Sequence, residues 1–428
     1  MPIEITKIEE KDISQYIERI QLNSEEIIQP VQEILNNVRK NRDQALKDYT
    51  KKFDNVVIDD LKVDEKTIQE SINNIDPRLK IALEQAAANI RKFHKAQIPE
   101  EWSIDIQDGV TAGQIIRPLE KVGCYIPGGR GAYPSTILMT VIPAKIAGVG
   151  EIICCTPPDE NGNIQDEILA AAHIAGATTI YKVGGAQAIG AMAYSTETIP
   201  QVDKIVGPGN IFVTTAKKLV YGDVDIEFPA GPSELLVLAD KSGKVEYISY
   251  DMMALAEHDP NAATILVTSD EDLAKDVQKF LEYNVNKQER SDIINKSLDS
   301  HGHILVTKTL KAAVFFTNKY APEHLIIATE DYNEVLKDIN KAGSIFLGNL
   351  TPVAGGDYGS GTNHVLPTSR GARMYSGLSA ESFIKKPTIQ ELTPEGIENM
   401  KEMVITLAES EGFYDHAKSF KERTKKLK

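Results

Sequence analysis

Short apolar runs alternate with longer stretches of helical periodicity through the middle of the chain. The alternation covers residues 122–221, where each apolar run precedes one such stretch. Parallel strands joined by right-handed helical crossovers produce this pattern. It predicts strands at 122–126, 151–155, 179–183 and 204–206, each followed by a helix, at 136–149, 166–175, 186–194 and 211–221. The helix at 136–149 is apolar nearly all round, so we expect it to be buried against a sheet.

A second α/β pattern follows, with strands predicted at 234–239 and 264–268 and a helix between them at 250–257. Residues 1 to about 100 have the pattern of helices with charged faces. Beyond Pro387 the chain becomes helical and charged again. Apolar residues there recur at helical spacing from Ile397 to Leu407, and Gly412 is expected to end that helix.

Composition limits the classes of protein that this chain can belong to. Its 428 residues suggest about two or three domains. The net charge of −15, from 62 acidic and 47 basic residues, argues against a nucleic-acid-binding or anionic-membrane surface. The long apolar stretch at 137–149 is too short to span a bilayer. We therefore expect neither nucleic acid nor membrane as a partner.

Targeting signals and cysteines point to one compartment. The first residues lack the basic and apolar regions of a secretory signal. Three cysteines, Cys124, Cys154 and Cys155, cannot all pair within one chain, and two of them are adjacent in a predicted strand. A disulfide framework is therefore not expected, and the predicted location is cytoplasmic.

The segment 321–325, APEHL, places a carboxylate beside an imidazole just after a proline. Pro322 suits the first position of a short helix or a turn. At a helix start, the dipole would keep His324 neutral and able to accept a proton, while Glu323 could activate water. The alternative is a helix start with two ordinary polar residues.

Glycine-rich turns follow three of the predicted strands, at 127–131, 183–187 and 207–210. Ligands of open α/β sheets bind beyond the carboxyl ends of strands, and glycine lets backbone approach them closely. Each turn could equally serve only to reverse the chain. Neither a GxGxxG fingerprint nor a Walker A lysine is present, so pattern alone does not establish a nucleotide.

Histidines near carboxylates are candidate metal ligands. The candidates are His258, His324, His416, Asp357 and Glu411. Such donors suit Zn²⁺, Mn²⁺ or Co²⁺, but their long spacing makes the signal weak. The histidines at positions 94, 173, 301 and 303 are interpreted as structural or surface residues. His364 is interpreted as a packed loop residue, with contact to a ligand as the alternative.

Taken together, these segments resemble the histidinol dehydrogenase family in order and over almost the whole chain. The segments are VGCYIPGG at 122–129, VGGAQ at 183–187, GPGN at 207–210, AGPSE at 230–234, AEH at 256–258, APEHL at 321–325, GDY at 356–358, GTNHVLPT at 361–368 and YSGLS at 375–379. The resemblance implies oxidation of L-histidinol to L-histidine in two NAD-dependent steps through a bound aldehyde. It also implies one Zn²⁺ per subunit and a homodimer with interlocking tails.

The resemblance also implies roles for individual residues. Glu323 and His324 would be the acid–base pair. In the family, the residues that match Glu411 and His416 come from the partner subunit. The other implied roles are NAD contacts by Tyr125, Gln187 and Asn210; substrate contacts by Ser233, His258, His324, Asp357, Glu411 and His416; and zinc coordination by His258, Asp357 and His416.

Two positions depart from the family pattern. Leu255 stands three residues before His258, where the family usually has a zinc-binding glutamine. Leucine cannot coordinate a metal, so we expect weaker metal retention or a water in its place. Glu227 stands where the family usually has aspartate.

We predict an α/β fold of two Rossmann-like parallel-sheet domains with helical N- and C-terminal tails. The predicted parts are an N-terminal tail at 1–22, a larger discontinuous α/β domain at 23–124 and 236–374, an inserted NAD-binding domain at 125–235, and a C-terminal tail at 375–428 that completes the partner's active site. Three alternatives stay open. They are a related zinc- and NAD-dependent dehydrogenase for another small alcohol, a zinc-dependent hydrolase that uses Glu323 as its base, and a catalytically silent binding protein.

Overall fold

The computed structural model describes residues 3–17, 25–128 and 131–425. Residues 1–2 and 18–22 of the predicted N-terminal tail lie outside this part of the chain, as do Gly129 and Arg130 of the first glycine-rich turn. The described strands are β1 Ile5–Lys7, β2 Trp102–Gln107, β3 Val110–Gln114, β4 Arg117–Pro118, β5 Lys121–Tyr125, β6 Glu151–Thr156, β7 Thr179–Lys182, β8 Lys204–Val206, β9 Asp225–Ile226, β10 Glu234–Ala239, β11 Ala263–Thr268, β12 Gly302–Val306, β13 His324–Ala328, β14 Ser344–Leu347, β15 Ile384–Lys385 and β16 Thr388–Leu392.

The helices alternate with these strands through most of the chain. The described α-helices are α1 Ser14–Ile17, α2 Glu25–Phe53, α3 Glu65–Asn74, α4 Pro77–Lys95, α5 Pro134–Ala147, α6 Asp166–Ala175, α7 Gly185–Tyr194, α8 Ile211–Val220, α9 Val245–Ala256, α10 Glu271–Asn284, α11 Ser291–His301, α12 Leu310–Tyr320, α13 Tyr332–Lys337, α14 Val353–Tyr358, α15 Pro394–Ser410 and α16 Tyr414–Lys425. None of the described helices is long and apolar enough to cross a membrane.

Two parallel sheets form the framework, which confirms the predicted α/β class. One sheet has six strands in the order β1-β12-β11-β10-β13-β14, and the other has five in the order β7-β6-β5-β8-β9. Every pairing within each of these two sheets is parallel. Both sheets are covered by helices, as parallel sheets require.

The five-stranded sheet packs between helices that the sequence marks by their apolar content. Helix α5 is buried along most of its length, as predicted, and it begins with Pro134 and ends at Gly148 in a left-handed conformation. On the other face, the apolar stripe of α2 packs on α7. Gly190 of α7 permits this contact, because a Cβ there would lie 3.1 Å from Leu35.

The chain divides into two compact units by its contacts. The first comprises residues 1–97 and 120–383 and contains both parallel sheets. The second comprises 98–119 and 384–428, with the antiparallel sheet β16-β3-β2, the β15-β4 pair, and helices α15 and α16. Pattern alone predicted helices beyond Pro387 and gave no sign of β16, whose side chains are mostly exposed and therefore lack a buried alternating face.

Candidate active site

Glu323 and His324 lie at the start of a buried strand, so of the two predicted possibilities, a helix start or a turn, the helix start is wrong. Helix α12 ends at Tyr320, Ala321 adopts a left-handed conformation with φ of 54°, and His324 is the first residue of β13. The peptide around Pro322 is already extended along the neighbouring strand. The Gly343 N–H donates to the Pro322 carbonyl at 3.0 Å, and the Ser344 N–H donates to the Glu323 carbonyl at 2.9 Å.

The main chain of Glu234, at the start of β10, holds both side chains. Its N–H donates to Oε2 of Glu323 at 2.7 Å, and its carbonyl lies 3.0 Å from Nδ1 of His324. A carbonyl can only accept, so Nδ1 carries a proton and donates it there. Nε2 of His324 is buried and has no hydrogen-bond partner among the described residues. This nitrogen is therefore the atom available to exchange a proton with a ligand.

Carboxylates surround the His324 ring and determine its charge. Oε2 of Glu323 lies 3.4 Å from Nδ1, and Oδ1 of Asp357 lies 3.8 Å from Nε2. Burial lowers the pKa of His324, but the charges and hydrogen bonds of Glu323 and Asp357 outweigh burial and raise the pKa to about 10. In this chain alone the arrangement therefore favours a protonated ring, where a neutral one was predicted. The helix dipole that supported the prediction is absent, and two carboxylates favour the imidazolium.

Two of the predicted zinc ligands lie close to this pair. Asp357, in α14, is buried, and burial raises its pKa, but His324, His364 and His258 together lower it below the usual value. His258 follows the end of α9 and is exposed. Imidazole and carboxylate donors suit Zn²⁺. No group of three or more histidine, cysteine or acidic side chains in the described residues is arranged to hold a metal ion.

Leu255 lies in the last turn of α9 and is 1% exposed. Its side chain packs in the apolar cluster beneath the six-stranded sheet, with Met252, Leu235 and Leu266 among its members. The position that would carry a fourth donor therefore belongs to the core of this protein. A polar side chain there would have to turn out of that cluster to reach a metal ion.

Glu411 and His416 belong to the second unit. Glu411 caps the end of α15, Gly412 breaks the helix with φ of 78°, and His416 lies in the first turn of α16, which confirms the predicted break. Both side chains are exposed. His416 lines a cavity of about 980 Å³ between α15 and α16 whose other walls include Ile397, Val404 and Phe420.

The three residues predicted to contact NAD lie along the carboxyl edge of the five-stranded sheet. Tyr125 ends β5, Gln187 lies in the first turn of α7, and Asn210 caps α8 by accepting from two main-chain N–H groups. The Tyr125 hydroxyl accepts from the Gly185 N–H at 3.1 Å. Asn210 is exposed, whereas Tyr125 and Gln187 are buried. Oε1 of Gln187 has no hydrogen-bond partner within the described residues, so a donor from a ligand could satisfy it.

A buried ion pair holds the turn that carries Asn210. Nζ of Lys217 lies 2.6 Å from Oε1 of Glu227, with both side chains 1% exposed. Lys217 also donates to the Gly207 carbonyl at 2.8 Å, and the Gly207 N–H donates to Glu227 at 3.1 Å. Gly207 has φ of 115°, and a Cβ there would lie 2.1 Å from the Tyr125 carbonyl oxygen, so only glycine fits.

The acid–base pair and the residues predicted to contact NAD lie at different ends of their parallel strands. Glu323 and His324 lie at the amino edge of the six-stranded sheet, together with Ser233, which immediately precedes β10. The residues predicted to contact NAD lie at the carboxyl edge of the five-stranded sheet. Residues 227–233 lead directly from the carboxyl end of β9 to the amino end of β10. One short connection thus joins the two edges.

Sequence reasoning missed Glu234 as a residue that positions the pair. The segment AGPSE was recognised, but the main-chain bonds of its last residue could only be seen once β10 and β13 were paired. The Glu234 side chain adds a further contact, since its Oε1 accepts from the Ser369 N–H at 3.1 Å.

A family model, related sequences and a solved structure all match this chain under the same family name. Residues 17–424 match the family model described as histidinol dehydrogenase. The chain is 55% identical over 423 residues to histidinol dehydrogenase from Methanothermobacter thermautotrophicus, with 99% of both chains covered. It is 46% identical over 401 residues to the enzyme of that name from Listeria innocua, with 94% of both covered. A crystal structure of histidinol dehydrogenase from Elizabethkingia anophelis superposes with a TM-score of 0.96 at 40% identity, covering 99% of this chain and 98% of that one.

Proposed function

Because this chain belongs to the histidinol dehydrogenase family, a family of NAD-dependent oxidoreductases, we propose that it oxidises L-histidinol to L-histidine. The reaction passes through bound L-histidinaldehyde, uses two NAD, and is the last step of histidine biosynthesis. The observation that carries the proposal is the pair Glu323–His324, held by the main chain of Glu234 with Nε2 of His324 unpartnered and buried. Such a nitrogen suits proton transfer to and from a substrate.

The chemistry of the chain's own residues follows from that geometry. In the first step His324 accepts the hydroxyl proton through Nε2 while the carbon-bound hydride passes to NAD. Glu323 then removes a proton from water, whose oxygen adds to the aldehyde carbon while His324 returns its proton to the carbonyl oxygen, which gives the hydrate and leaves His324 neutral again. His324 accepts a hydroxyl proton of the hydrated aldehyde as the second hydride passes to a second NAD. Tyr125, Gln187 and Asn210 contact the cofactor, and Ser233, His258, His324 and Asp357 contact the substrate.

We propose that one Zn²⁺ per subunit is held by His258 and Asp357 together with His416 of a second copy. The bound ion would orient the substrate and offset the charge of Asp357 that favours the protonated form of His324. Glu411 and His416 are exposed in the second unit, which leaves them available to a second copy. The proposed assembly is a homodimer with active sites completed across it, located in the cytoplasm.

The direct test measures NADH formation with L-histidinol, with and without a chelator. We expect two NADH for each histidinol consumed, loss of activity after chelation, and recovery when zinc is added. Hydrolysis of a substrate without NADH formation would support the zinc hydrolase instead. Faster turnover of another amino alcohol would support the related dehydrogenase, which Leu255 favours by departing from the usual ligand set.

Replacing Leu255 by Gln should strengthen metal retention. The glutamine amide supplies an atom that can coordinate the metal, which leucine lacks. Even residues that only hydrogen-bond to metal ligands contribute roughly 10–100-fold to metal affinity. Zinc per subunit after dialysis against a series of zinc buffers measures the change. Leu255→Met is the matched control, since it keeps the apolar volume and should leave zinc content unaltered. Equal zinc loss in Leu255→Gln and the parent would contradict the expected role of this position.

A further inference from the structure

Asp54 occupies a place at the edge of the five-stranded sheet where a ligand would lie. It follows α2 directly. Downstream, residues 61–63 run antiparallel to β7, with the Val63 N–H donating to the Ile180 carbonyl and the Lys182 N–H to the Leu61 carbonyl. Moving back from residue 61 towards Asp54 therefore leads past the carboxyl end of β7. Ligands of open α/β sheets bind beyond this edge.

The Asp54 side chain is half-buried, and one of its two carboxylate oxygens lacks a partner among the described residues. Its Oδ2 atom is buried without a hydrogen-bond donor among the described residues. Burial alone raises the pKa of Asp54 to about 6. The residue also follows the C-terminal end of a helix, where the helix dipole disfavours negative charge. Buried polar atoms are normally paired, so an orphan of this kind calls for a donor supplied from outside the fold.

The surroundings of Asp54 belong to the predicted NAD site. Burial is the main reason that the pKa of Tyr125 rises to about 12, and the nearby negative charge of Asp54 adds to that rise. The Tyr125 hydroxyl binds the Gly185 N–H, and Gln187 beside it holds a second buried oxygen without a donor. A ligand in this region must therefore bring hydrogen-bond donors. Sugar hydroxyls are such donors, and phosphates are not.

The sheet order indicates which part of the cofactor would reach Asp54. Strand β7 is at one edge of the five-stranded sheet and β9 is at the other. The connection 227–233 towards Glu323 and His324 leaves from the β9 edge. If the reacting end of NAD lies towards that connection, Asp54 is on the adenosine side.

We propose that Asp54 accepts a hydrogen bond from the adenosine ribose of NAD and thereby excludes NADP, an inference that rests on the proposed NAD-dependent function. A carboxylate at this position accepts from the 2′-hydroxyl and repels the 2′-phosphate, as acidic residues do in dinucleotide-binding folds. Asp54 is thus a specificity-determining residue for the cofactor, distant from the chemistry.

The test is the Asp54→Asn variant, assayed by titration calorimetry with NAD and with NADP. Loss of a charged hydrogen bond should weaken NAD binding by about 10–100-fold. NADP binding should hold or improve, so the NAD-to-NADP affinity ratio falls. The KM for histidinol should not change. Thermal unfolding should occur at the parent temperature or above it, because an unpartnered buried charge has been removed. Asp54→Ser, which also makes room for a phosphate, should improve NADP binding further.

Asp251→Asn is the matched control. Burial also raises the pKa of Asp251 to about 6, but this carboxylate accepts the Val353 N–H and lies with the six-stranded sheet. NAD and NADP binding should not change in this control. NAD affinity equal to the parent's in Asp54→Asn would overturn the inference alone, as would a proportional loss of NAD and NADP binding with a lowered unfolding temperature. A parent protein that binds no NAD would instead overturn the proposed function, and the inference with it.

Discussion

Replacing His324 by Asn should lower turnover by about 10²–10⁴-fold with both L-histidinol and L-histidinaldehyde, the usual contribution of a positioned general base. The asparagine amide can still donate to the Glu234 carbonyl as Nδ1 of His324 does. It offers no basic nitrogen where Nε2 now lies unpartnered. The geometry of the site is therefore conserved while proton transfer is removed. Steady-state rates of NADH formation from each substrate measure the loss.

The Glu323→Gln variant separates the activation of water by Glu323 from the proton transfer by His324. It should slow oxidation of the aldehyde more than oxidation of the alcohol, because only the aldehyde step needs a carboxylate to activate water. His301→Asn is the control, since His301 is a half-buried histidine at the end of α11 with a pKa lowered by burial and no part in the site. Small, equal losses in both steps for His324→Asn and Glu323→Gln would refute these assignments.

Replacing Lys217 by Met should lower the free energy of unfolding by about 3–5 kcal/mol, the usual cost of stranding one member of a buried ion pair. Glu227 would keep a single donor, the Gly207 N–H, and its other oxygen already lacks a partner among the described residues. Burial already raises the pKa of Glu227 despite the neighbouring lysine, so removing Lys217 would favour the protonated acid. Denaturant titration monitored by circular dichroism measures the loss.

The double variant Lys217→Met with Glu227→Gln should recover much of that stability, because neither charge is then left buried alone. Lys66→Met, which breaks an exposed pair with Glu70 on α3, should change the free energy of unfolding by less than about 1 kcal/mol. A loss in Lys217→Met no larger than in Lys66→Met would show that the buried pair does not hold the 207–210 turn.

Local pattern predicted the parallel framework well because buried parallel strands are short apolar runs bounded by helices. Strands at 204–206 and 234–239 and the helix at 166–175 have the predicted bounds. The helix predicted at 250–257 begins five residues earlier, at Val245. Its first turn contains Glu246 and the exposed Tyr247, so the apolar pattern becomes visible only further along.

The site was harder to predict because its geometry depends on pairings between distant segments. Glu323 and His324 were found as a chemical pair, but Pro322 suggested a helix where the ladder with β14 imposes a strand. The charge of His324 then depends on Asp357, which is 33 residues away in sequence and approaches only through α14. The lone carboxylate of Asp54 carried no sequence signal, because its lack of a partner exists only in the folded chain.

The length of the connection at residues 227–233 sets the distance between cofactor and substrate if NAD and histidinol occupy the proposed edges of the two sheets. The connection starts at Glu227, which is fixed by a buried ion pair, and leads directly into Glu234, whose main chain holds the acid–base pair. Each added residue would extend the chain by up to about 3.3–3.6 Å. Hydride transfer needs reacting atoms about 3–3.5 Å apart. The length of this connection is therefore under tighter constraint than its composition, and insertions should be tolerated elsewhere before they are tolerated here.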